Sequence, residues 1–134
     1  GDSFVSPDLV GNLIRLTANG ALDTNFGTNG LVSIQNVNGT GDDVVTGIVQ
    51  DAQGRLIVTG YSGLPTDVFV ARFSANGTID PAFGVAGILK GAPIPPSSSD
   101  PKAYAIAMDS LGFIYLCGKV SAAGQDVMMV WKVK

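Results

Sequence analysis

The residues of this chain that could do chemistry are few, and the most conspicuous of them come in pairs. Arg15 and Arg72 occupy one position of a duplicated segment, each shortly before an Asn-Gly, and each is followed by an aspartate, Asp23 or Asp80, and a phenylalanine, Phe26 or Phe83. An arginine that recurs inside a strand either pairs with a carboxylate, for which Asp23 and Asp80 are at hand, or points into a pocket. The pair is the stronger reading. A carboxylate repeated in every copy could take calcium through loop oxygens. Aspartate at a turn more commonly accepts backbone N–H groups, while the phenylalanine plugs a gap between packed units. Asp42-Asp43 lacks the spaced acidic ligands of a calcium loop and reads as a solvated turn.

Ligand contact points to the aromatic residues. Trp131 and Tyr61 offer flat faces that stack on sugar C–H surfaces, with Asp67, Asp126 or Arg72 to bond hydroxyls. Tyr61-Ser62-Gly63 and Lys119-Val120-Ser121 open matching loops expected on one face of the fold, with Asp67 and Asp126 at their far ends. The competing reading of Trp131 is a core position between packed units.

Several chemistries are disfavoured by what the sequence omits. It contains no histidine, which removes the commonest general base, the usual Ser/His and Cys/His nucleophile pairs and most zinc sites. Cys117 is the single cysteine and reads as a small hydrophobe in a strand. A carboxylate-based hydrolase would need two acidic groups about 5 to 9.5 Å apart in a cleft. The expectation is therefore no enzyme, no cofactor and no metal. A net charge of -3 with eight scattered basic residues argues against nucleic acid. No apolar run reaches the roughly 18 to 20 residues of a spanning helix, so membrane insertion is not expected.

The elements that must hold these residues are strands. Short apolar or alternating runs punctuated by Gly, Asn, Asp and Pro predict strands near 12–17, 31–35, 44–50, 56–61, 68–73, 87–90, 104–108, 113–119 and 127–133. No stretch of ten or more residues has capped helical periodicity. Asp51-Ala52-Gln53-Gly54 and Asp109-Ser110-Leu111-Gly112 predict hairpin turns with an aspartate bond and a positive-φ glycine. Residues 91–101, rich in Pro and Ser, predict a surface loop. Runs such as Leu56-Ile57-Val58 and Val127-Met128-Met129-Val130 are apolar at consecutive positions, which predicts burial on both faces.

The chain also repeats itself. Residues 13–31 align without a gap on 70–88, a shift of 57. Residues 51–60 align on 109–118 at a shift of 58, and 67–70 on 126–129 at 59, which sets Trp131 where Arg15 and Arg72 stand and Phe113 where Arg55 stands. Four strands per unit of this length is the arithmetic of a propeller blade. The expected fold is all-β, with about two blades over residues 13–134 after a lead-in at 1–12 from a longer chain. Nine strands make two blades and one surplus strand.

The run Arg72-Phe73-Ser74-Ala75-Asn76-Gly77-Thr78-Ile79-Asp80-Pro81-Ala82-Phe83-Gly84, then Ala105-Ile106-Ala107 and Asp109-Ser110-Leu111-Gly112-Phe113-Ile114-Tyr115-Leu116-Cys117-Gly118, resembles the delta-60 repeat over nearly the whole chain. That resemblance implies β-propeller blades in a protein secreted or carried on a bacterial surface, generally without a known activity. Two blades leave large apolar faces and open edges, so self-association is expected, with three chains closing six blades and two chains, closing four, as the alternative. The expected role is an adhesin-like or lectin-like module that binds a glycan or cell-envelope component. The alternative is a structural or protein-interaction cap of a longer fibre.

Overall fold

The computed structural model describes residues 8–133, and the rest of the lead-in expected at 1–12 lies outside them. Among the described residues there are nine strands, close to the predicted ones except that β7 starts earlier: β1 (Gly11–Ile14), β2 (Leu31–Ile34), β3 (Asp43–Gln50), β4 (Leu56–Ser62), β5 (Asp67–Phe73), β6 (Ile88–Lys90), β7 (Ser98–Met108), β8 (Ile114–Ala122) and β9 (Gln125–Val133). They form three antiparallel sheets, β1-β2, β3-β4-β5-β6 and β7-β8-β9. The division is therefore two, four and three strands, not one surplus strand and two blades. β1 and β2 repeat β5 and β6, because Leu13 pairs with Val32 as Val70 pairs with Leu89.

The turns form for the reasons the sequence gives. Asp51 Oδ1 accepts the N–H groups of Gln53 and Arg55, and Asp109 Oδ1 those of Leu111 and Phe113. Gly54 and Gly112 take φ of 80° and 84°, a region that side chains other than Asn and Asp rarely visit. Loop 91–101 is shorter than its composition suggests, because β7 begins at Ser98. Ser98 and Ser99 pair with Ala122 and Ser121, and the ladder skips Asp100-Pro101 before resuming at Lys102. A proline without a donor is tolerated there because β7 is an edge strand and the ladder is already broken.

Two hydrophobic layers hold the sheets face to face. Leu13, Phe26, Val32 and Ile34 of the first sheet and its loop pack on Val58, Phe69, Ala71 and Phe73 of the second. Ile57, Val68, Val70 and Phe83 pack on Ala103, Ile114, Leu116 and Trp131 of the third. The middle sheet is thus buried on both faces, as Leu56-Ile57-Val58 predicts. The matching expectation for β9 is not met. Met128 and Val130 are 80% and 71% exposed, because no sheet covers that face among the described residues.

A bulge recurs in each of the two larger sheets. The register of β3 on β4 slips at Thr46 and that of β7 on β8 at Tyr104. Opposite each slip stands a glycine, Gly60 or Gly118, where a Cβ would lie 1.8 Å from the carbonyl oxygen of Val44 or Lys102. Only a residue without a side chain allows that approach. The extra residue is used: Thr46 Oγ1 donates to the carbonyl of Ala103 at 2.9 Å, tying the second sheet to the third.

Candidate functional site

The sequence-derived candidates do not converge on one point. Asp67 and Arg72 stand at the two ends of β5, about 17 Å apart at strand rise. Asp67 accepts the N–H of Val68 and caps its own strand. Arg72 Nε bonds Asp80 at 2.8 Å, with the guanidinium 4.9 Å from the centre of the Phe83 ring. Arg15, Asp23 and Phe26 repeat that arrangement at 2.8 Å and 5.0 Å. The N–H of Ala82 and then the Arg72 guanidinium hold the Asp80 carboxyl below the usual carboxylate range, against some desolvation. Both aspartates are thus committed to turn and arginine, which is the structural reading of the pair.

Trp131 is a core residue. It is 4% exposed in the layer between the second and third sheets, and its indole Nε1 donates to the carbonyl of Pro93 at 3.0 Å. It lines one wall of an apolar hollow of about 270 Å³ with Val68, Leu89 and Met129. Its place in the repeat also differs from the expected one. Ile57 pairs with Arg72 and Tyr115 with Lys132, so Lys132 holds the arginine position and Trp131 that of Ala71. The shift is 60, not 59, because the β8-β9 hairpin extends one residue further on each arm than β4-β5. Asp126 accordingly does not match Asp67. Lys132 keeps the cation, with Nζ 3.9 Å from the centre of the Phe113 ring.

Tyr61 and Asp126 fall in one neighbourhood through Lys102, which with Tyr104 and Asp100 was not singled out in the sequence. At the end of the sheets where the β4-β5 and β8-β9 hairpins turn, the rings of Tyr61 and Tyr104 stand edge to face, with centroids 6.2 Å apart. Lys102 Nζ lies 5.2 Å from the Tyr61 ring centre and 3.3 Å from Asp100. Lys119 Nζ bonds Asp126 at 2.8 Å, and Ser121 donates to the same carboxylate. The bond from Lys119 holds the Asp126 carboxyl below its usual range, and that same bond raises the Lys119 ammonium. Tyr104 is half exposed. Its signal was in the sequence, since it repeats the bulge position of Thr46, but only the register reveals the bulge.

Beside this cluster lies a hollow of about 260 Å³ lined by Asp8, Asp42, Tyr61 and Lys102 among others. Asp42 accepts the N–H of Leu9 and Asp8 that of Gly41, fastening the N-terminal segment there. Asp43 is not the solvated turn expected of it. It is buried, accepting the N–H groups of Asn36 and Val37 and the hydroxyl of Ser62, which satisfy the carboxylate without water.

Residues 1–26 and 53–83 match the model of a family described as a domain of unknown function (DUF5122) beta-propeller. That match, with sheets that are antiparallel throughout, gives the fold as β-propeller blades. The matched segments carry the two Arg-Asp-Phe units, so the sheets are propeller blades, the middle one complete with four strands. No curated protein and no solved structure matches the chain. The Tyr61-Tyr104 cluster then sits at the mouth between two blades. It offers an aromatic edge, two cations and two carboxylates.

Proposed function

We propose that this chain is a non-catalytic propeller module, secreted or displayed on a bacterial surface, that binds a glycan or another cell-envelope component. The supporting observation is the cluster of Tyr61, Tyr104, Lys102, Lys119 and Asp126 at one interblade mouth, where ring faces alternate with groups that bond hydroxyls. Binding fits its electrostatics better than acid catalysis does. A general acid needs a carboxyl pushed upward, whereas Asp126 in the cluster is held below the usual range, as Asp51, Asp80 and Asp109 are elsewhere in the chain. Three chains closing a six-bladed ring would present the mouth several times, raising avidity without new contacts.

A glycan array probed with the purified chain tests the reading. Binding is expected to a subset of saccharides and to weaken at least tenfold in Tyr104→Ala and Lys102→Met. An array that stays blank for the unaltered chain removes the glycan reading and favours a structural or protein-interaction cap of a fibre. That second reading draws on the exposed apolar residues of β9.

A further inference from the structure

We propose that this chain joins a second copy of itself by strand exchange, with the β1-β2 hairpin of one copy replacing β9 on β8 of the next. The proposal rests on the ring reading above and names its interface. The template is the joint already made inside the chain. There the turn formed by Ser74, Ala75, Asn76 and Gly77 sits in a cradle built by the first repeat. Arg15 Nη1 donates to the carbonyl of Ala75 at 2.7 Å, and the N–H of Gly27 to that of Asn76 at 2.8 Å. Gly77 fits so closely that a Cβ would lie 2.7 Å from Val32 and 3.0 Å from the Phe26 ring.

The second repeat builds the same cradle and leaves it open. Arg72, Phe83, Gly84 and Leu89 stand where Arg15, Phe26, Gly27 and Val32 stand, and the loop backbone is preformed, with φ of 57° at Gly27 and 54° at Gly84. Among the described residues no carbonyl meets the Arg72 Nη atoms or the Gly84 N–H. The matching turn is equally idle. Thr17, Ala18, Asn19 and Gly20 repeat the docked turn almost residue for residue, yet they are exposed, and nothing lies within 4 Å of a Cβ placed on Gly20.

The strand beneath that turn has β2 on one edge and no strand on the other among the described residues. Ile14 and Leu16 are 60% and 55% exposed, whereas their counterparts Ala71 and Phe73 are buried because that face of β5 packs on the first sheet. The counterpart of β4 in the third blade is β8, so β8 offers the edge that β1 lacks. β8 now carries β9, a single strand exposed along most of its length. Exchanging it for β1-β2 supplies two strands, the Phe26 plug and the carbonyls for the Arg72 guanidinium and the Gly84 N–H, and gives two complete blades per chain. Tethering favours β9 in the isolated chain, and rising concentration favours exchange by mass action.

Light scattering and sedimentation velocity over a range of concentrations test the interface with Gly20→Asn and Gly124→Asn. Both glycines have positive φ, 85° and 77°, and open space around them, and asparagine tolerates that backbone. The unaltered chain and Gly124→Asn are expected to associate alike, with Gly20→Asn at least tenfold weaker. Leu16→Glu, at a side chain exposed in the single chain, is expected to weaken association similarly and covers the case in which Gly20→Asn misfolds. Association that neither Gly20→Asn nor Leu16→Glu weakens overturns the interface and leaves the ring standing. A chain that stays monomeric at every concentration overturns both.

Discussion

Phe26 and Phe83 show how one side chain sets a blade boundary. Each follows its aspartate by three residues, bonds that aspartate's carbonyl through its own N–H and lies under the guanidinium of the repeat's arginine. Phe26 is the more enclosed, since the turn of the second repeat closes over it, while the corresponding side of Phe83 faces the open cradle. Phe26→Ala should therefore cost about 3–5 kcal/mol, the usual range for emptying a buried aromatic site. Urea denaturation checks this, and a loss below about 1 kcal/mol would mean that the loop collapses into the space. These units were legible in the sequence because every partner within one lies a few residues away along the chain.

Among the elements, the bulged strands β3 and β7 are the least forgiving. Gly60 and Gly118 admit a neighbouring carbonyl to a distance no Cβ allows, and backbone cannot move aside as a flexible side chain can. Gly60→Ala is expected to destabilise by about 3 kcal/mol, at the upper end of the cost of overpacking. Gly118→Ala should act mainly on the third blade, whose outer face is uncovered. Amide exchange would then rise in β7, β8 and β9 with the middle blade still protected, and uniform exchange across all blades would refute that independence. The strands themselves were legible from apolar runs and turn residues. The bulges were not, because a slipped register is a relation between two strands, and its one mark in the sequence is the glycine opposite each slip, Gly60 or Gly118.

At the scale of the whole molecule, charge confines stability to a broad window. The carboxyls of Asp51, Asp80, Asp109 and Asp126 all sit below the usual range in the folded chain. For Asp51 and Asp109 desolvation opposes this and the bonds from the turn outweigh it; for Asp80 and Asp126 the first cause is the bond from Ala82 N–H and from Lys119. A lowered folded value means the stabilisation is complete above the unfolded value, about 3.9, and disappears as pH falls through the folded one. Lys119 is raised, so its share is complete below about pH 10.4 and lost as pH climbs through its folded value. With no histidine to titrate between, urea midpoints should be level from about pH 5 to 8 and drop below about pH 4. A midpoint that declines steadily between pH 8 and 5 would contradict this.

What the sequence determined by itself is everything carried by short separations: nine strands, the Asp-Gly hairpin turns, the Arg-Asp-Phe unit and a count of repeats that identifies a propeller. Each depends on contacts within one strand or one turn, where residue type and spacing are the whole of the physics. The tertiary structure decided what depends on register and stacking. A hairpin longer by two residues moved Lys132 into the arginine position and Trp131 into the core. The stacking of the blades joined Tyr61 to Tyr104, and it left one cradle filled and its twin open. Such relations arise only when separate sheets share an interface, because side chains distant in sequence become neighbours through the burial of the surfaces between them.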